Sequence, residues 1–111
     1  MAAEAGESFD YIVVGAGSSG CVVAARLSED PANQVLVLEA GGSDQGLYIK
    51  MPLGFLKATV DPKYNWPYMT EPEPHLNGRR LPLPRGRLMG GSGSINGMFA
   101  MRGHPLDYDQ W

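Results

Sequence analysis

The stretch Tyr11–Leu27, YIVVGAGSSGCVVAARL, decides the fold. The run FDYIVV, Phe9 to Val14, is short, apolar and rich in β-branched residues, and it stops at a glycine. That is the pattern of a buried strand of the parallel type. A helical period follows. Gly20, Val23, Ala24 and Leu27 share one helix face. Asp30-Pro31 closes the helix, because proline pushes the residue before it out of the α region. Residues 35–39, VLVLE, read as a second buried strand, ended by Ala40-Gly41-Gly42. Strand, helix and strand within about 30 residues make a βαβ unit with a right-handed crossover. The expected fold class is α/β, the first βαβ of a Rossmann-like domain.

GAGSSG between strand and helix is G-x-G-x-x-G at Gly15, Gly17 and Gly20. The first glycine permits the tight turn, the second lets backbone approach a pyrophosphate, and the third lets helix and strand pack closely. The pyrophosphate then sits on the helix N-terminus, where free N–H groups and the dipole favour an anion. Ser18 and Ser19 add donors there. A bare G-x-G-x-x-G is weak, since a ligand-free glycine turn produces it too. Here it follows a strand, opens a helix, and is followed 19 residues after Gly20 by an acid, Glu39, at the end of the second strand. That carboxylate can accept hydrogen bonds from the adenosine ribose and would repel a 2′-phosphate, which argues against NADP. The fingerprint reads only ADP, so NAD and FAD both stay open.

The 111 residues amount to about one small domain, and 15 glycines with 9 prolines make it rich in loops. A net charge of −3 argues against a nucleic-acid partner. The single cysteine, Cys21, excludes an internal disulfide framework and a CxxC metal site. No apolar run approaches the roughly 18–20 residues that span a membrane. MAAEAGESFD has no basic start and no long apolar core, so it reads as a polar tail over residues 1–8 rather than a secretory signal. A cytoplasmic location is the expectation.

Seven of the nine prolines lie in residues 43–84, and no period persists there. Residues 46–57 can hold a short turn of helix, and Leu81-Pro82-Leu83 an edge strand. A loop this long is functional or takes its order from something else. A second glycine-rich stretch covers residues 85–103. The end, HPLDYDQW, begins a helix with Pro105 in its first turn, which leads us to expect further chain.

GRLMGGSGSINGM, residues 86–98, sets five glycines and three small polar residues before the apolar run Met98-Phe99-Ala100-Met101. Such a segment can lie flat against a planar ligand. With GAGSSG and Glu39-Ala40-Gly41, the W-x-x-x-T-E-P of Trp66–Pro72 and the closing MRGHPLDYDQW, it resembles the glucose–methanol–choline (GMC) family of FAD-dependent oxidoreductases. The resemblance runs from Phe9 to Trp111. Gly93 departs from the usual small hydroxyl residue, and Met89 from the usual Leu, Val, Ile or Trp.

The resemblance implies a role for each matching position. Gly15, Gly17, Ser18 and Ser19 meet the pyrophosphate, with Gly20 packing behind them. Glu39 holds the adenosine ribose, with Ala40 beside it. Trp66 lies near the cofactor. Leu88, Gly91, Ser92, Asn96, Gly97, Met98 and Phe99 run along the pyrophosphate, ribityl chain and isoalloxazine. Arg87 stands near phosphate or pairs with an acid. Ile95 occupies the place where flavinylated members carry histidine, so FAD should be non-covalent.

In this family a small-molecule alcohol is oxidised, and a histidine base near the C-terminus of a much longer chain takes the hydroxyl proton. No catalytic residue is therefore expected among these 111. His75 reads as a solvated loop residue, His104 as a local cap or a surface residue, Glu71 and Glu73 as solvated charges, and Cys21 as a small buried residue. The expected layout is an ADP-binding unit over residues 9–42, a cofactor-covering segment over 43–84, and a flavin-contacting loop over 85–111. The substrate domain would come from the remainder of the polypeptide or a second chain. Rival readings are an NAD-dependent Rossmann dehydrogenase, which leaves GGSGSINGM unexplained, and a non-catalytic fragment. A third is the hydroxynitrile lyase or fatty-acid photodecarboxylase chemistry that the same fold supports.

Overall fold

A computed structural model describes residues 6–111. Strand β1 (Tyr11–Val14) pairs in parallel with β2 (Val35–Leu38), with Tyr11 opposite Val35 and Val14 opposite Leu38. Helix α1 (Ser18–Leu27) crosses between them. β1 starts two residues later than the run FDYIVV predicts. Asp10 is tied to Gln34 twice, its N–H donating to the Gln34 carbonyl at 2.9 Å and its carboxylate accepting the Gln34 N–H at 2.8 Å. α1 also ends three residues before Asp30-Pro31. Its last carbonyls are met locally, Ala25 O by the Ser28 hydroxyl (3.1 Å) and Leu27 O by the Asn33 amide (2.9 Å). The stop is set by these side chains, not by the proline.

The two strands are not buried, contrary to expectation. Val13 faces α1, while Ile12 and Val14 on the opposite face are 59% and 82% exposed. A two-stranded sheet with a helix on one side has nothing to cover its other side. The chain exposes 8839 Å² in all, where a compact 12 kDa monomer exposes about 6,000 Å².

The core lies elsewhere. Ala58, Tyr64, Leu88 and Ile95 are buried together, with Tyr48 and Ile49 packed on them. Residues 46–57, where the sequence predicts one short turn, form α2 (Leu47–Lys50), a 3₁₀ turn at Pro52–Gly54, and α3 (Phe55–Ala58). Helices of four residues do not stand alone in water. These two are held by the packing of Ala58 and by a close approach at Gly54, where an added Cβ would lie 2.2 Å from the Tyr48 carbonyl oxygen.

The proline-rich part of residues 43–84 is not structureless. β3 (Asn65–Trp66) pairs antiparallel with β4 (Arg85–Gly86), and bridges at Met69–Pro82 and Glu73–Arg79 extend the ladder. The Leu83 N–H donates to Tyr68 O and the Thr70 N–H to Leu81 O, both at 2.9 Å. Pro82 sits between those bonded positions, where no N–H is needed. The hairpin reverses at Asn77-Gly78, both with positive φ (55° and 70°). Leu81-Pro82-Leu83 therefore lies on one limb of a ribbon.

The ribbon hands the second glycine stretch back to the βαβ unit. The Met89 N–H donates to Gly42 O (2.9 Å) and the Gly90 N–H to Ala16 O (2.7 Å). At the end of the chain α4 (Pro105–Asp109) is capped by His104, whose Nδ1 accepts the Leu106 N–H at 3.2 Å. Among the described residues no helix is long and apolar enough to cross a membrane.

Candidate functional site

At the N-terminus of α1 lies a cleft of about 590 Å³. Three backbone turns build it. Gly15 leaves β1 with φ +94°, a conformation that favours glycine. Gly17 is the N-cap of α1 and has no side chain with which to cap it. The first N–H groups of the helix are thus left to the cleft. Gly20 then lets α1 approach β1, since a Cβ there would stand 1.9 Å from the Gly15 carbonyl oxygen.

Glu39, at the exit of β2, is held from two sides. One carboxylate oxygen accepts the Ala16 N–H and the other the Gly41 N–H, each at 2.8 Å. It bolts the turn after β1 to the end of β2. Two bonds leave a carboxylate with acceptor capacity for a ribose hydroxyl.

The second glycine stretch closes the cleft from across. Gly91 (φ +57°) would place a Cβ 2.9 Å from Gly17 Cα. The Ser92 hydroxyl accepts the Gly86 N–H at 3.0 Å. Gly93 runs beside Ser18, and a Cβ there would lie 3.1 Å from its hydroxyl. At Gly17 itself an added Cβ meets nothing within 4 Å. Protein closes the space around Gly20 and Gly91; the space in front of Gly17 is open to a ligand. A dinucleotide pyrophosphate fits that cradle, since backbone donors surround it and no side chain fills it.

Of the residues singled out in the sequence, Gly15, Gly17, Ser18, Ser19, Gly20, Glu39, Ala40, Trp66, Gly91 and Ser92 all line this cleft. Others do not. Arg87 does not line the cleft: it holds its guanidinium 5.0 Å over the Trp66 ring and has no acid partner among the described residues. Leu88 is fully buried, so its side chain belongs to the core. Asn96 and Met98 line a separate cleft of about 230 Å³ with Asp44, Tyr48 and Phe55. Gly97 and Asn96 line a third, of about 280 Å³, with Thr59 and Ile95. Phe99 is 87% exposed and lines none of the three.

Met98 has φ +56°, and its N–H donates to the Asn96 side chain at 2.8 Å. For a residue with a side chain that conformation costs about 1 kcal/mol. Cys21 is exposed rather than buried, its thiol donating to Ala16 O at 3.2 Å. His75 and His104 line none of the three clefts.

Sequence reasoning missed Tyr68 and Arg85. Tyr68 stacks on Trp66 with ring centres 5.9 Å apart and planes 9° apart. Tyr68 sits two positions from Trp66, and period two along a strand puts that pair on one face; no such signal marks Arg85, since Arg87 two positions on does not line the cleft. The prolines around them hid that the segment is a strand.

Fold and site define a dinucleotide-binding βαβ unit with a second glycine loop laid across its phosphate turn. The sequence signature of the GMC oxidoreductase family matches residues 9–111. The chain belongs to that family, and FAD is the cofactor of this N-terminal region.

Over 102 residues the chain is 54% identical to the oxygen-dependent choline dehydrogenase of Sinorhizobium fredii, covering 92% of this chain and 19% of that protein. It is 52% identical over 105 residues to the same enzyme of Vibrio vulnificus, covering 95% and 19%. The solved structure of pyridoxine 4-oxidase from Mesorbium loti superposes with a TM-score of 0.81 at 41% identity, covering 94% of this chain and 20% of that one. An Aspergillus oryzae formate oxidase variant superposes with a TM-score of 0.82 at 35% identity, covering 98% and 19%. The chain spans about one fifth of the length of the relatives it matches.

Proposed function

We propose that this chain forms the ADP-binding cleft and part of the flavin wall of an oxidoreductase that uses non-covalent FAD to oxidise a small-molecule alcohol. One observation carries the reading. Gly91 and Gly17, far apart in sequence, meet at the open N-terminus of α1, with Glu39 bolted beside them. A lone phosphate-binding turn needs no second loop; a second glycine loop laid across it suits a longer cofactor whose further half runs on along that loop.

FAD held here would supply a hydride acceptor for the alcohol carbon. The chain's own residues bind and orient. The first N–H groups of α1 meet the pyrophosphate, Glu39 the ribose, and Trp66 stands at the cleft wall. Residues 9–42 would serve as the ADP unit, 43–84 as the covering segment and 85–111 as the flavin-contacting loop. Ile95 is buried at 2% exposure and has no nucleophilic atom, which supports a cofactor held without a bond.

Of the substrates named for the relatives, choline and pyridoxine are alcohols and formate is not; the two alcohols make alcohols the first class to try. The proton-accepting group would come from outside these 111 residues, since neither histidine lines any of the three clefts described above. The bare face of Ile12 and Val14 supports a further partner, either the remainder of a longer polypeptide or a second chain. A free, exposed Cys21 suits a reducing compartment such as the cytoplasm.

The test is anaerobic mixing of the complete oxidoreductase that carries this chain with choline, pyridoxine and simple primary alcohols. Bleaching of the flavin absorbance by at least one alcohol is expected. A flavin that none of them bleaches, in a protein that turns over a cyanohydrin or an illuminated fatty acid, would point to lyase or photodecarboxylase chemistry.

A further inference from the structure

The cleft at α1 has two charged residues among the described residues of its lining, Glu39 and Arg85, and Arg85 also borders the third cleft beside Ser92. The carboxylate is engaged by two backbone N–H groups and adds one negative charge. A dinucleotide pyrophosphate adds about two more. Against them the helix N-terminus offers about half a positive charge. Arg85 is the one full positive charge in the lining.

Its placement is built. Arg85 lies in β4, directly opposite Trp66 of β3. Its backbone N–H donates to the Asn65 side-chain oxygen at 2.7 Å, and Asn65 is buried. The guanidinium, by contrast, is nearly free. One N–H donates to the Pro84 carbonyl at 2.7 Å, and no carboxylate pairs with it among the described residues. A guanidinium has five N–H donors, so four remain. Arg87, two residues on, also lacks an acid partner and is occupied by the Trp66 ring. Two neighbouring arginines, neither matched by a carboxylate, leave this face of the ribbon positive. Where that face meets the open space before Gly17, an anion is the missing partner.

We infer that Arg85 binds the pyrophosphate of the cofactor, and that Arg87 holds Trp66 in place. The inference rests on the FAD-binding reading above. It changes the ligand chemistry of the cleft from backbone donors alone to backbone donors plus one guanidinium.

The test uses the apoprotein of the complete oxidoreductase, titrated with FAD, and with ADP and adenosine as competitors, at two salt concentrations. Arg85→Gln should weaken FAD and ADP about 10-fold, the loss of one charge-assisted contact. It should leave adenosine unchanged and flatten the salt dependence. Arg85→Lys should recover part of the loss, because the charge remains while the fork is gone. The inference is overturned if R85Q binds FAD and ADP within twofold of wild type, if ADP and adenosine weaken equally, or if R85K is as weak as R85Q. A wild-type protein that binds no FAD would instead overturn the underlying reading.

Discussion

Gly17→Ala should leave the fold intact and empty the cleft. The backbone at Gly17 (φ −77°, ψ −172°) suits any residue, and an added Cβ meets no protein atom within 4 Å. Alanine reduces unfolded-state entropy, worth about 0.4–1 kcal/mol of stability. It caps a helix slightly less well than glycine, which takes back a similar amount. The apoprotein should therefore keep its stability to within about 1 kcal/mol. The methyl group, however, stands where the pyrophosphate must approach the first N–H groups of α1. Lengthening two charge-assisted hydrogen bonds, at about 1.5 kcal/mol each, weakens FAD about 100-fold.

Gly20→Ala should do the opposite. Its Cβ would lie 1.9 Å from the Gly15 carbonyl oxygen, a backbone atom that cannot swing away. Overpacking of that kind costs about 1–3 kcal/mol, felt by the protein with or without cofactor. Both variants are made in the complete oxidoreductase, and each is read by thermal melting of the apoprotein and by flavin titration. A Gly17→Ala protein that holds FAD as tightly as wild type would refute the reasoning, because the space before Gly17 would then not be the ligand's.

Further outcomes follow from the same geometry. Gly91→Ala should destabilise by about 2–4 kcal/mol, since it combines a left-handed φ with a contact at 2.9 Å to Gly17 Cα; a melting temperature equal to wild type would count against the packing of the two loops. Glu39→Gln should cost about 1–3 kcal/mol in the apoprotein, because an amide can accept only one of the two backbone N–H groups well; unchanged apoprotein stability would mean the bolt is idle. Residues 1–111 expressed alone should aggregate or melt without cooperativity, given the bare faces of β1 and β2. A sharp, FAD-dependent melt of that polypeptide would show that the sheet needs no cover.

The legible parts of the molecule were those with local rules. Gly15, Gly17 and Gly20 announce the turn because the chain cannot make it otherwise, and Glu39 announces the end of β2 because it follows an apolar run at the right distance. His104 was readable as a cap from the proline behind it. The hairpin of residues 65–86 was not. Its prolines erase the alternation that marks a strand, and its pairing of Trp66 with Arg85 is a contact between distant residues. Arg87, in the family's glycine signature, reads as standing near phosphate or pairing with an acid, and in the structure it lies over the Trp66 ring instead. Strand register places Arg85 at the cleft, and no local pattern encodes register. The exposure of β1 also escaped the sequence, since an apolar run says that a strand needs cover and not what covers it. The resemblance runs residues 96–99 along the cofactor to the flavin ring; in the structure Asn96, Gly97 and Met98 line two smaller cavities and Phe99 lines none of the three.

Acid precipitation of the complete oxidoreductase, followed by chromatography of the supernatant, tests whether the two glycine loops hold FAD. One FAD released per chain is the expected result. NAD in the supernatant, or no nucleotide at all, would show that the cleft before Gly17 has been misread, and flavin retained in the protein pellet would contradict the non-covalent cofactor inferred from Ile95.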